Sequence, residues 1–293
     1  MGGAGRLFMM LPLLSLLKMP AAQLLHHTYS KPVPRIAIIG GGIGGTATAY
    51  FLHDLFKDEV LIDLYESNHV GGRLATLRVR DQQYEVGGSV IHPSNQYMKD
   101  FAAQFGLSHC TQCPQTIGLF NGKDYVFKSS SVALVDLAKL LLRYGWDIYR
   151  LQKVPAAVLQ DFMKIYRLQH EGQAFKDVAT MLSAISKEML RMTKMSTHDW
   201  LREQGLSPLT ISELVMSVLQ CNYGQTPDVH AFVGLIALAG ADSNLWSVEG
   251  GNKRVAEELL KHSRASLLWR QVTQVAPSTN TLGKIVSRCR SPL

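Results

Sequence analysis

The sequence predicts an α/β fold: a parallel-sheet half, interrupted by a long and mostly helical region, with the chain returning to the sheet near its end. Three observations carry this. The apolar run Ile36-Ala37-Ile38-Ile39 enters a stretch, Gly40 to Gly45, in which five of six residues are glycine. A second strand-like run, Val60 to Glu66, follows after one helix length. From about residue 97 the apolar period lengthens from that of a strand to that of a helix.

Thr46 to Phe56 reads as the first helix, with Ala47, Tyr50, Phe51 and Leu55 on one side. Gly40-Gly41-Gly42-Ile43-Gly44-Gly45 has the G-x-G-x-x-G spacing. Between a strand and a helix, that spacing points to dinucleotide binding. Gly40 allows the tight turn, Gly42 lets backbone N–H groups approach a pyrophosphate, and Gly45 lets the helix pack closely on the strand. The helix start adds free N–H donors and positive dipole charge. The second strand ends in Glu66, about 20 residues past the last glycine, where a carboxylate accepts hydrogen bonds from a ribose hydroxyl. A purely structural turn is the alternative, and the well-placed acid argues against it. This half is therefore Rossmann-like.

Glu66 leads into a second small-residue loop, Val70-Gly71-Gly72-Arg73-Leu74-Ala75-Thr76. A further glycine pair follows in Tyr84-Glu85-Val86-Gly87-Gly88-Ser89-Val90. Between them, Leu77-Val79 and Tyr84-Val86 flank Asp81-Gln82-Gln83, the pattern of a hairpin. Tyr97 to Phe105 is an amphipathic helix that Gly106 could stop. Asn121-Gly122 between apolar runs signals a second hairpin. Ser129 to Ser131 can cap the next helix, which carries Val132, Val135, Leu137, Leu140, Leu141 and Tyr144. Further helices are expected from about Pro155 to His170, through 175–195, and over 197–204 and 207–219. Met and aromatic residues there are core by default, yet such a region could roof an apolar pocket. Gly250-Gly251 precedes a helix, Arg254 to His262, and a strand from Ser266 to Val275.

The chain has 293 residues, 46% apolar and 18% charged, enough for one large or two moderate domains. Its formal charge of +7 is not gathered into a Lys/Arg stripe, so nucleic acid is not an expected partner. Arg6 precedes an apolar run, Leu7 to Leu17, which fits a signal-peptide core and is short for a membrane span. A mitochondrial presequence stays open, because no acid occurs before Asp54. No later stretch is long and apolar enough to span a bilayer. Cys110-Thr111-Gln112-Cys113 is a lone C-x-x-C pair, read as incidental or as a small-loop disulfide rather than a metal site. No N-x-S/T sequon occurs. The expected division is a signal peptide over 1–23, a lead-in over 24–34, the first part of the nucleotide-binding domain over 35–96, and a mostly helical substrate domain over 97–240. The returning part spans 241–276 and a divergent tail 277–293.

Glu66 followed by Gly71-Gly72-Arg73 and Thr76 resembles the flavoprotein amine-oxidase superfamily. The resemblance implies that Gly72 and Arg73 contact a flavin diphosphate, and that Gly88, Ser89 and Val90 lie near the isoalloxazine ring. It also implies that Val272 contacts the adenine. Gly87-Gly88-Ser89-Val90-Ile91-His92-Pro93, Asn222-Tyr223-Gly224-Gln225, Ala231-Phe232-Val233-Gly234 and Trp246-Ser247-Val248-Glu249-Gly250-Gly251-Asn252-Lys253 narrow it. Over about 35–275 the chain resembles the prenylcysteine oxidases. That resemblance implies FAD as cofactor, a prenylated cysteine and oxygen as substrates, and cysteine, a prenyl aldehyde and hydrogen peroxide as products. It implies lysosomal or secretory location, with peripheral membrane association left open. Loss of hydride from carbon needs no nucleophile, so no catalytic triad is expected. His92 is a candidate to assist water attack.

Chains of that family continue well beyond this one. The fold is therefore expected to be incomplete at its C-terminus, leaving the strand that ends near Val275 short of neighbours. Two other readings stay open: an inactive FAD-binding fragment of the family, or another amine-oxidase-like flavoenzyme.

Overall fold

Arg35–Ile39 forms β1, and the helix that follows starts inside the glycine run: α1 spans Ile43–Phe56, three residues earlier than Thr46. Its buried row is Thr46 and Ala49, whereas Leu55 is exposed. The expected apolar side is thus only partly right. Ala49 faces the sheet with Ile38, Ile62 and Leu64, while Ala47 and Tyr50 turn to a second core. A helix wedged between two cores has no single apolar stripe. β2 (Leu61–Glu66) then runs parallel to β1 in register Arg35↔Leu61 to Ile39↔Tyr65. The buried Asp63 on β2 is held by Arg35 through two hydrogen bonds.

The chain is a computed structural model that describes residues 32–111, 116–241, 244–277 and 285–290. The expected signal peptide, most of the lead-in, Cys113 and part of the tail lie outside the described residues. β3 (Thr76–Val79) and β4 (Gln82–Glu85) make the expected hairpin. α2 (Gln96–Gln104) follows, capped by the Asn95 side chain and stopped before Gly106, whose φ is +62°. α2 packs with Ile91, Trp246, Val255 and Leu259, so its core is that of the nucleotide-binding half.

β5 (His109–Thr111) precedes the hairpin β6 (Gly118–Phe120) and β7 (Tyr125–Lys128). α3 (Ala133–Tyr144) has Val132 at its N-cap and no side-chain cap. The expected serine cap is replaced by its mirror: Asp136, inside the helix, accepts from the Ser130 N–H. α4 (Asp147–Phe162) also departs from expectation, because Pro155 lies in its middle rather than at its start. A proline there removes one helix hydrogen bond; Pro155 is buried against the cavity described below. α5 (Lys164–His170), α6 (Val178–Ile185), α7 (Lys187–Met192) and α8 (Thr197–Glu203) complete the first part of the helical region. α9 (Pro208–Thr210) passes through a π-turn, Ile211–Val215, into α10 (Met216–Tyr223), and α11 (Ala231–Ala239) follows. Met192, Trp200, Leu201, Leu206, Ile211, Val215, Leu219 and Leu235 form its buried core.

β8 (Trp246–Val248) pairs with β5, and α12 (Lys253–His262) leads to β9 (Ser266–Trp269). β9 joins β2 in parallel, giving a three-stranded sheet of order β1-β2-β9. The strand expected to run unbroken from Ser266 to Val275 breaks at Arg270, and β10 (Gln271–Pro277) is separate. β10 pairs antiparallel with β11 (Ile285–Arg290), so the strand ending near Val275 does have a neighbour.

Candidate functional site

Two glycine turns meet backbone to backbone. Gly42 bridges Gly71, the Gly71 N–H donates to the Gly41 carbonyl at 2.8 Å, and a Cβ on Gly72 would lie 3.3 Å from Gly42 Cα. Gly45 has no room for a side chain either: its Cβ would fall 1.9 Å from the Gly40 carbonyl oxygen. Gly40 takes a φ of +100°, a conformation open to glycine. No side chain caps the start of α1, where Gly42 is the N-cap. Its first N–H groups and the positive end of its dipole are thus left to a ligand. Arg73, next to Gly72, has an exposed side chain with no ion-pair or hydrogen-bond partner among the described residues. Free helix-start N–H groups beside a guanidinium are the donor set that a diphosphate takes.

Glu66 ends β2 beside this turn. Its Oε2 accepts from the Gly41 N–H at 2.7 Å, and its Oε1 accepts from Ser67 and Asn68 N–H at 2.8 Å. Partial burial opposes its ionisation, but the three backbone donors outweigh it and hold the carboxyl below the usual range. A carboxylate fixed this way is ready to accept from a sugar hydroxyl. Val272 is half-buried on β10, two residues past Arg270, whose N–H donates to the Glu66 carbonyl.

The Arg73 carbonyl links the cradle to the next glycine pair. It accepts from the Gly88 N–H at 2.9 Å, and a Cβ on Gly87 would lie 1.9 Å from it. The other side of this pair is held by Asn252, which is fully buried. Asn252 donates from Nδ2 to the Gly88 carbonyl at 2.7 Å and accepts the Val248 N–H at 2.8 Å. Its own N–H donates to Glu85 Oε1 at 2.6 Å. Ile91 and Trp246 exchange backbone hydrogen bonds. The Trp-Ser-Val-Glu-Gly-Gly-Asn motif therefore acts as a clamp on Gly88. Asn252 and Glu85 were not among the expected site residues; the only signal was the asparagine directly after Gly250-Gly251.

Beyond Gly88 opens a cavity of about 620 Å³. Its floor is the backbone and side chains of Gly87, Gly88, Ser89, Val90, Ile91 and His92. Its walls are apolar residues of α4, α5 and α11, among them Pro155, Val158, Leu159, Phe162, Phe232 and Ile236, with Asn222 and Tyr223 at the end of α10. The Tyr166 hydroxyl accepts from the Gln96 N–H and donates to the Ser94 carbonyl, tying α5 to the floor. Burial pushes the Tyr223 phenol up, so it stays protonated as a donor. His92 Nδ1 accepts the Ser94 N–H at 3.0 Å. Nε2 is the other nitrogen of this candidate to assist water attack.

Cradle, clamp and roofed cavity define a Rossmann-like α/β protein whose helical region closes an apolar space over the second glycine pair. The solved structures agree on the fold. A redesigned putrescine oxidase aligns with TM-score 0.58 at 13% identity, covering 87% of this chain and 54% of that one. A fatty acid isomerase from P. acnes that produces CLA aligns with TM-score 0.53 at 19% identity, covering 89% and 56%. A Rossmann-like NAD(P)-binding domain profile matches residues 38–105, and the prenylcysteine lyase profile matches residues 127–287. The chain belongs to the prenylcysteine lyase family. Relatives include Prenylcysteine oxidase 1 from Mus musculus and from Homo sapiens, each 42% identical over 251 residues. Prenylcysteine oxidase 1-like from Homo sapiens is 38% identical over 245 residues. The first two cover 85% of this chain and the third 83%, and the chain spans about half the length of each of these relatives.

Proposed function

We propose that this chain binds FAD and oxidises the thioether of a prenylated cysteine, releasing cysteine, a prenyl aldehyde and hydrogen peroxide. One observation carries the reading: an apolar cavity opens directly on the glycine pair that Arg73 and Asn252 hold in place. A dinucleotide seated in the cradle presents its reactive ring at that floor, and a hydrocarbon chain fits the walls. The kinship with prenylcysteine oxidases supports the same substrate class. Bound FAD supplies an acceptor for the hydride leaving the carbon beside sulfur and passes the electrons to oxygen.

The chain's own residues bind, orient and exclude. Backbone N–H groups at Ile43, Gly44 and Gly45, with the Arg73 guanidinium, receive the diphosphate. Glu66 receives the ribose hydroxyls. Gly40, Gly41, Gly42 and Gly72 keep the approach clear, Gly88, Ser89 and Val90 underlie the ring, and Val272 borders the adenine. Val158, Leu159, Phe162 and Phe232 hold the prenyl chain out of water, which aligns its first carbon with the ring. His92, at the floor, is the candidate to assist water attack. The expected signal peptide supports entry into the secretory pathway or lysosome, where degraded prenylated proteins release such substrates.

The test is peroxide release by the purified, FAD-loaded chain. Farnesylcysteine should produce peroxide and free thiol in equal amounts, while putrescine should produce none. Peroxide from an amine, with none from farnesylcysteine, would replace this reading with that of a different flavin oxidase.

A further inference from the structure

The face of α3 that looks away from the protein is its apolar one. Leu134, Ala138 and Leu142 fall at spacings of four on one row, and Leu134 is 75% and Leu142 89% exposed. Val135, Leu137 and Leu141 flank that row and are also exposed. Only Tyr144, on the opposite side, is buried. Trp146 follows at 77% exposure, then Tyr149 at the start of α4. A water-facing helix ordinarily turns such a row inward, and a contiguous apolar patch of this kind marks an interaction surface.

The charges around the patch choose the partner. Lys139, Arg143 and Arg150 pair with Asp136, Glu213 and Asp147. In each pair the acid is turned inward: the carboxylates are 7–16% exposed and the cations 39–49%. Lys153 adds a further cation over the Tyr149 ring. The solvent thus meets leucines and a tryptophan beside Lys153 and the more exposed, cationic partners of these ion pairs. That is the pattern of a helix lying in a lipid headgroup layer, with aromatic residues at the boundary and cations on the phosphates. No described helix is long and apolar enough to cross a membrane, so the contact is peripheral.

We propose that α3 and Trp146 dock this chain on an anionic lipid surface, with Leu134 and Leu142 entering the acyl boundary. The position serves the cavity. α4 begins at the patch and carries Pro155, Val158, Leu159 and Phe162 into the cavity wall. An apolar substrate dissolved in lipid would then be taken up beside the surface that holds it. Only this purpose rests on the proposed substrate; the docking itself does not.

The test is vesicle flotation, without substrate, of the whole chain and of a Leu134→Glu/Leu142→Glu variant. Vesicles of phosphatidylcholine with phosphatidylserine should carry the parent chain and shift Trp146 emission to the blue. The double variant should bind at least about tenfold more weakly. Both positions are exposed, so its melting temperature should match the parent's. A Trp146→Ser variant provides an independent second loss of binding. Equal flotation of parent and variants, or no flotation of the parent, overturns the proposal. So does self-association of the parent without lipid that the double variant abolishes, because a second copy then covers the face. Peroxide release from farnesylcysteine is read separately, so either reading can fail alone.

Discussion

The glycine cradle and the cavity roof border neighbouring parts of the proposed site but are made of opposite materials. In the cradle, recognition is backbone: Gly40, Gly45, Gly71 and Gly72 are positions where a side chain would clash or strain the chain. In the roof, recognition is side chain: Val158, Leu159, Phe162 and Phe232 supply shape. Backbone recognition tolerates no substitution but is indifferent to what lies beyond the diphosphate. Side-chain recognition tolerates change and determines which hydrocarbon fits. In the proposed function, specificity therefore belongs to the helical region and cofactor retention to the sheet.

The largest expected effect breaks the cradle. Gly45→Ala puts a methyl on the Gly40 carbonyl, a backbone group that cannot yield, with the Ile38 side chain beside it. Urea denaturation should show a loss of about 3 kcal/mol. Gly44→Ala, one position away with open space, should stay within about 1 kcal/mol, on the stabilising side. Next is the clamp between the two regions. Asn252→Ala leaves the part-buried Gly88 carbonyl and the buried Val248 N–H unpaired and should cost about 2 kcal/mol.

A smaller effect separates the roof from the cradle. Leu159→Trp partly fills the cavity from α4. It should raise KM for farnesylcysteine by about tenfold while leaving the bound-flavin spectrum unchanged. Loss of the spectrum as well would mean that the two regions are not separable.

The smallest effects are pH limbs, and they tax the regions from opposite ends. The folded-state pKa of Glu66 is lowered, so its stabilisation is present above the ordinary carboxylate pKa and is lost as pH falls through the lowered value. Glu66→Gln should flatten the acid side of a melting-temperature profile. In the helical region Tyr144 is pushed up to about 12, by burial first and then by its hydrogen bond to Glu213. Its stabilisation is present below the ordinary tyrosine pKa and is lost as pH rises through about 12. Tyr144→Phe should flatten the alkaline side.

The same division of materials explains what the sequence showed. Backbone requirements leave glycine in fixed spacing, so the cradle, Glu66 and both hairpins could be read directly. Side-chain placement depends on packing between distant elements. Pro155 therefore looked like a helix start, though buried packing holds it inside α4. Asn252 reaches Gly88 across 164 positions, a distance that no local pattern encodes. The break at Arg270 is set by its N–H turning to the Glu66 carbonyl, again a partner far away in sequence. His92 was visible as a residue, but the Ser94 N–H that occupies its Nδ1 was not.

The central claim is that the cradle, with Glu66 and Arg73, grips the diphosphate and ribose of FAD. Titration of FAD into the apo chain, followed by flavin fluorescence, tests it most directly. The account predicts saturable binding that Arg73→Ala and Glu66→Gln each weaken by about tenfold, with the fold intact by circular dichroism. Saturable binding that neither substitution alters, or no binding by a folded chain, would contradict it.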